Sequence, residues 1–224
     1  MKPELRRFGS SQSPVVVVDG FSGGVGPIVD LAAAMAPFAP GSGTYYPGLR
    51  EKIGERDPAW AYVSRTLQEA APFIGGGFDA DGFELLEASF SMVTAPPASL
   101  VPAQRAPHFD STDRNYLAIL HYLSVPSASG TAFFRQRATG IEVIDTANVD
   151  RFVAAARRES VGLAGYVQGS NEAFEEIGRV EAVPDRLLIY RGSLLHSGII
   201  PPDMVLSPDP RRGRLTANLF ILAR

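Results

Sequence analysis

After Gly82 the chain alternates with a period of two. FELLEASFSMVT places Leu86, Ala88, Phe90 and Met92 on one face; YLAILHYL, TAFFRQ, IEVI, DRLLIY, HSGII and RLTANLFIL follow as short apolar segments with turn residues between them. This periodicity suits half-buried strands. Strands that succeed one another without intervening helices pair antiparallel, so the pattern predicts a sandwich or jelly roll rather than alternating βαβ units. One interruption is helical. Asn148 to about Glu159 (VDRFVAAARRE) reads as a helix, and a glycine-rich stretch to Ser170 completes an insertion between strands.

Before Gly82 the composition differs. Val15 to Val18 reads as a first strand closed by Asp19-Gly20, residues 27–36 as a helix, and residues 41–48 as a loop. Asp57-Pro58 predicts a helix start, with Asp as the cap and Pro in the first turn. That helix is expected to run to about Ala71 with Trp60, Val63 and Leu67 on one face, and Gly75-Gly76-Gly77 ends the section. The expectation is a mainly β (α+β) chain forming one domain over residues 1–224. Residues 1–80 supply a strand and supporting helices, and residues 83–224 form the β core.

Composition narrows the chemistry. The formal net charge of -3 favours neither nucleic acid nor an anionic membrane as partner. There is no cysteine, which excludes disulfides, thiolate metal sites and cysteine nucleophiles. MKPELRRFGS has no apolar stretch after its charges, and no run such as LAAAMAPFA is long enough to span a bilayer. A cytoplasmic location is expected. Any metal must be held by carboxylates, backbone oxygen or the three histidines, His108, His121 and His196.

His108 and Asp110 stand two apart before YLAILHYL and point the same way if that segment is extended. Two imidazoles and one carboxylate on one face hold first-row metals and leave positions open. His-x-Asp alone is weak, because two polar residues closing a loop before a strand look the same. A third ligand must come from His121 or His196. His121 lies on the opposite face of its strand from Tyr116, Ala118, Leu120 and Tyr122 and reads as an ordinary outward-facing residue. His196 opens a strand after a turn.

The order of these features, from about Phe83 to Leu222, resembles the iron(II)- and 2-oxoglutarate-dependent dioxygenases on their prolyl-4-hydroxylase side. The family signature is His-x-Asp, a distal His, then an Arg on the next strand. The resemblance implies a double-stranded β-helix (jelly roll, cupin-like), with N-terminal helices and one helical insertion. It assigns His108, Asp110 and His196 to iron(II). Tyr122-Leu123-Ser124 is similar to the family's Tyr-Leu-Asn, whose tyrosine reaches the far carboxylate of 2-oxoglutarate. Gly130-Thr131-Ala132-Phe133 and Asp185-Arg186-Leu187-Leu188 resemble the segments that follow. Gly213 to Asn218 resembles the stretch that grips the cosubstrate, with Arg214 as anchor and Thr216 and Asn218 as polar neighbours. The connection from His196 to Arg214 is longer than usual and contains Arg211 and Arg212, which read as solvated. The implied reaction consumes O2 and 2-oxoglutarate to hydroxylate a small-molecule or peptide substrate. The presence of Asp110 sets the chain apart from relatives that halogenate. The pattern, including GTAFFRQRATG, is also similar to a group of bacterial proteins of unassigned function.

Other residues admit two readings. Arg135 and Arg137 share a strand face and either meet an anionic substrate or are solvated. Gln104 either lines the pocket or is exposed. Tyr166 and Gln168 belong to a lid or to a surface loop. Tyr45 and Tyr46 are pocket walls or core packing. Two rival functions use the same ligands: a non-catalytic, cupin-like metal or small-molecule binding protein, and a hydrolase or isomerase with another metal.

Overall fold

The computed structural model describes residues 1–41 and 46–224. Its elements, in chain order, are β1 (Lys2–Phe8), β2 (Ser13–Asp19), α1 (Gly26–Ala34), β3 (Ala39–Pro40), β4 (Gly48–Lys52), α2 (Trp60–Phe78), β5 (Phe83–Val93), β6 (Tyr116–Ser124), β7 (Gly130–Gln136), α3 (Val149–Glu159), β8 (Phe174–Glu181), β9 (Arg186–Arg191), β10 (His196–Ile199) and β11 (Leu215–Ala223). The strands form two antiparallel sheets. The larger has the order β1-β2-β9-β6-β11-β5-β4-β3, and the smaller β10-β7-β8.

Alternation distributes the side chains into layers. On the large sheet Val16, Val18, Phe90, Met92, Leu117, Ile119, Leu219 and Ile221 face α1 and α2. The intervening residues Val15, Val17, Ala118, Tyr122, Leu188 and Tyr190 face the smaller sheet and meet its Phe133 and Val180. The outer face of the smaller sheet packs Phe134, Phe174 and Ile199 against Phe152 of α3. Both faces of the large sheet are thus covered, and the polar inner rows of β4, β5 and β11 stand out between them.

Several expectations need correction. The segment before Gly82 supplies four strands rather than one. β1, β4 and β8 are rich in charge and lie at or near sheet edges, where apolar alternation is not required. IEVI is not a strand; Val143 makes one isolated bridge to Leu194. Asp57 does not cap α2. Its carboxylate accepts the Gly54 N–H at 2.7 Å, and the helix begins at Trp60.

Helix α2 also continues past Ala71, through Pro72 and the three glycines, to Phe78. Tyr62, Thr66, Ala70, Ile74 and Phe78 form one buried stripe. Burying Ile74 and Phe78 is worth about 1.5–3 kcal/mol each, comparable with the ~3 kcal/mol that an interior proline costs. A Cβ at Gly77 would lie 2.7 Å from Val16 Cγ2, so that glycine lets the helix close on β2. In β5 the alternation slips. A bulge opposite Phe220/Ile221 leaves Leu86 48% exposed and turns Leu85 towards the core.

Candidate metal centre

The two halves of the candidate site are sewn together by backbone. His108 N–H donates to His196 O and His196 N–H to His108 O, each at 2.8 Å, and Asp110 N–H donates to Gly192 O at 2.7 Å. His108 and Asp110 therefore ride on the turn that leads into β10. Gly192 makes this approach possible: a Cβ there would stand 2.7 Å from Tyr116 Cδ1 and 3.0 Å from Asp110 Cβ.

The structure brings His108, Asp110 and His196 together, with one ligand atom of each inside a 4.8 Å cluster. His108 Nε2 is 3.9 Å from Asp110 Oδ1, and His196 Nε2 is 3.6 Å from Asp110 Oδ2. These are separations of groups sharing a partner rather than hydrogen-bonding each other. Asp110 Oδ2 is buried without any hydrogen bond. The residues fit a divalent cation. Two nitrogens and an orphaned carboxylate oxygen converge, and burial holds the imidazoles neutral. It pushes His196 down to about 4. Burial and then the neighbouring His196 push His108 in the same direction, although 46% of its side-chain surface stays open. Burial raises the Asp110 carboxyl, against the pull of His108, and a bound cation would reverse that.

His121 is no part of this cluster, and it is not outward-facing either. It is 0% exposed, on the helix side of β6. Tyr62 Oη lies 2.9 Å from its Nδ1, and its Nε2 lies 3.0 Å from Asp185 Oδ1. The alternation in YLAILHYL is correct, but helices bury the second face.

The proposed cosubstrate residues line up by register. Thr216 pairs with Tyr122 on one side and Ser91 on the other, and Ser91 pairs with Arg50. Tyr122 is fully buried, 2.7 Å from Thr131 Oγ1 through its hydroxyl. Burial pushes its phenol up to about 12, against the nearby Arg214. Arg214 is 6% exposed, stands 5.8 Å from the Tyr122 ring centroid, and has an Nε with no hydrogen-bond partner among the described residues. Among the described residues it has no ion pair. Asn218 donates from Nδ2 to Ser91 Oγ at 3.1 Å, leaving its buried Oδ1 unpaired. Arg212 is exposed, and Arg211 pairs at the surface with Asp30 at 2.8 Å.

Other candidates are already engaged. Arg135 is bound by Glu142 and Glu175, and burial of Glu142 is outweighed by Ser10, Ser11 and Arg135, which hold its carboxyl down at about 2. Arg137 donates to Asn171 O. Gln104 accepts the N–H of Val101 in its own turn. The guanidinium of Arg135 is thus held by two carboxylates, while Arg137 stays exposed. Tyr166 is 9% exposed and donates to Ala95 O at 2.7 Å, while Gln168 donates to Ile200 O. Tyr46 packs at the edge of this cluster; Tyr45 lies outside the described residues. Two neighbours escaped the sequence reading. Tyr190 stacks edge-on to His196 at 4.8 Å, and Arg50 lies on the short strand β4. The alternation of DRLLIY places Tyr190 on the inner face with Leu188; nothing in GLREK singles out Arg50.

Residues 1–221 match the family of unknown function DUF6445. The chain belongs to that family. No curated protein matches it. The DUF6445 chain is similar in fold to several solved structures. HygX from Streptomyces hygroscopicus, with nickel, 2-oxoglutarate and hygromycin B bound, has a TM-score of 0.57 at 9% identity over 95% of this chain and 84% of that one. The non-heme alpha ketoglutarate dependent epimerase SnoN from nogalamycin biosynthesis has a TM-score of 0.54 at 13% identity over 95% and 80%. EctD from S. alaskensis, with 2-oxoglutarate and 5-hydroxyectoine, has a TM-score of 0.50 at 13% identity over 99% and 84%. At such identities the DUF6445 chain shares their fold, and the site must be argued from its own residues. No helix of the described residues is long and apolar enough to cross a membrane.

Proposed function

We propose that this protein is an iron(II)- and 2-oxoglutarate-dependent dioxygenase that hydroxylates an unactivated carbon of a small-molecule or peptide substrate. The two packed sheets are then the double-stranded β-helix of those enzymes, with the site at one mouth. The observation that carries the reading is the convergence of His108, Asp110 and His196 beside a buried, unpaired Arg214. A lone buried guanidinium is costly unless an anion meets it, and a planar fork suits a carboxylate.

Each residue has a role. His108, Asp110 and His196 hold the metal on one face and leave the opposite side open. Arg214, with the Tyr122 ring beside it and Thr216 and Asn218 on the same strand face, takes the far carboxylate of the keto acid. Bound iron and 2-oxoglutarate would supply oxidising power from O2, with succinate and carbon dioxide as by-products. Tyr190 and Phe133 keep the inner side of the site apolar and limit water.

Anaerobic addition of iron(II) and 2-oxoglutarate tests the reading. A weak visible charge-transfer band is expected in the native protein and none in His196→Ala. Tight metal binding with no band and no succinate release in oxygen would instead favour a binding protein.

A further inference from the structure

Arg50 stands on β4 with its side chain on the same inner face as the cosubstrate residues, in the row Arg50–Ser91–Thr216–Tyr122. Its Nε donates to Ser91 Oγ at 3.1 Å, and its guanidinium lies 4.5 Å above the Tyr46 ring centroid. These contacts fix the plane of the group and leave its outer edge, Nη1 and Nη2, without a hydrogen bond among the described residues. The nearest carboxylate does not fill that edge. Glu87 Oε1 is 3.9 Å from Nη1, too long for a hydrogen bond, and Glu87 Oε2 is 2.5 Å from Lys52 Nζ. Lys52 thus meets the charge of Glu87, and Arg50 keeps its own. The Arg50 side chain is only 22% exposed, and its charge is felt at His108, Asp110 and Tyr116. Around it Tyr46 Oη, Ser89 Oγ and Asn218 Oδ1 are buried without hydrogen-bond partners among the described residues.

We infer that Arg50 is the receptor for a carboxylate carried by the substrate itself, held by the outer edge of its guanidinium across the sheet from the cosubstrate residues. The inference rests on the oxygenase reading and names the class of substrate. Arg50 stands two strands from Thr216 in this row, a backbone separation of about 10 Å, and Arg214 and Arg50 are then separate receptors for two carboxylates. An end-on guanidinium edge matches the two oxygens of a carboxylate. The Ser89 and Tyr46 hydroxyls offer hydrogen bonds to amino or hydroxyl groups near that carboxylate. The substrate expected is a small carboxylic acid with polar substituents rather than a hydrocarbon or a sugar.

The test uses the full chain loaded with cobalt(II) and saturated with 2-oxoglutarate, and acetate as the probe. Proton relaxation of the acetate methyl group reports residence near the paramagnetic metal, and acetamide is the neutral control. Native protein should relax acetate and not acetamide. Arg50→Gln should weaken acetate binding by about tenfold or more, Arg50→Lys should restore part of it, and Arg211→Gln, at the surface beside Asp30, should leave it intact. The affinity for 2-oxoglutarate, read from the cobalt spectrum, should not change in Arg50→Gln. Equal relaxation in Arg50→Gln, equal relaxation of acetamide, or none in the native protein overturns the inference. Loss of 2-oxoglutarate rather than acetate in Arg50→Gln would make Arg50 the cosubstrate anchor and also overturn it. Native protein that binds cobalt but not 2-oxoglutarate fails before acetate is added, and then the oxygenase reading falls first.

Discussion

His196 donates from Nδ1 to the carbonyl oxygen of Leu194 over 2.7 Å. The bond fixes the tautomer, so the lone pair of Nε2 faces Asp110. A metal ligand is commonly prepared this way, by a hydrogen bond at its other ring nitrogen. His121 has no such free lone pair. Its two nitrogens are occupied by Tyr62 and Asp185, and that difference separates two buried histidines that look alike in sequence.

The first prediction follows from this contrast. His108→Ala, Asp110→Ala and His196→Ala should each abolish the charge-transfer band and 2-oxoglutarate turnover. His121→Ala should keep the band in whatever fraction remains folded. It should also lower stability by about 1–3 kcal/mol or more, because Tyr62 and Asp185 lose a buried partner. Urea midpoints and anaerobic spectra on the same samples check both halves. An inactive, well-folded His121→Ala beside an active His196→Ala would overturn the assignment.

Arg214→Ala should raise the apparent KM for 2-oxoglutarate by one to two orders of magnitude, since a charge-assisted hydrogen bond is worth about 1.5–3 kcal/mol. Arg211→Ala and Arg212→Ala should change it little, because both are exposed. Steady-state succinate release against 2-oxoglutarate concentration decides, and an unchanged KM in Arg214→Ala moves the anchor elsewhere.

Acid should destabilise the metal-free protein from about pH 6.5 downward. His121 and His196 are buried and held neutral, both below the ordinary value of 6.5. The unfolded chain therefore binds protons that the folded chain refuses, and stability falls as pH falls. Each such proton contributes a slope of up to about 1.4 kcal/mol per pH unit between the unfolded and folded values. Asp185 adds to the loss at still lower pH: despite its burial, Ser22 and His121 hold its carboxyl below the ordinary range. Denaturant unfolding at pH 7, 6 and 5 checks the sign. His121→Gln should flatten the slope, and a slope unchanged by that substitution would locate the protons elsewhere.

The sequence displays the parts of this molecule whose burial depends on alternation. Thr216 and Asn218 share a face because β11 alternates with a period of two, Arg214 stands immediately before that strand, and His108-x-Asp110 is readable because both residues must point one way. The edge strands carry no such signal. KPELRRF pairs by backbone with its side chains largely in water, and GLREK is half-buried but interleaves charge with its one large apolar residue, so β1 and β4 are invisible to a hydrophobic pattern, and Arg50 is invisible with them. The length of α2 is hidden for another reason. Pro72 and three glycines argue locally for an end, and only packing against the large sheet carries the helix to Phe78.

The insertion before β8 touches the loop that carries His108 and Asp110. Phe109, the residue between His108 and Asp110, meets Phe152 of α3 edge-on, with ring centroids 5.8 Å apart. Phe152 is 4% exposed and sits among Phe134, Phe174 and Ile199 of the smaller sheet. The helix therefore braces the loop that carries two of the three candidate ligands. Phe152→Ala should cost about 3–5 kcal/mol of stability, as large core truncations do, and should weaken cobalt(II) affinity as the loop loses its brace. Phe152→Leu, which refills most of the volume, should restore the affinity. Tyr166→Phe removes only the bond to Ala95 O, so it should cost about 1 kcal/mol and leave cobalt affinity unchanged. Cobalt titrations under conditions where each variant is folded separate the two. Native affinity in folded Phe152→Ala would reduce α3 to a surface cover, and a loss in Tyr166→Phe equal to that in Phe152→Ala would show that the whole insertion, not the Phe109–Phe152 contact, holds the metal loop.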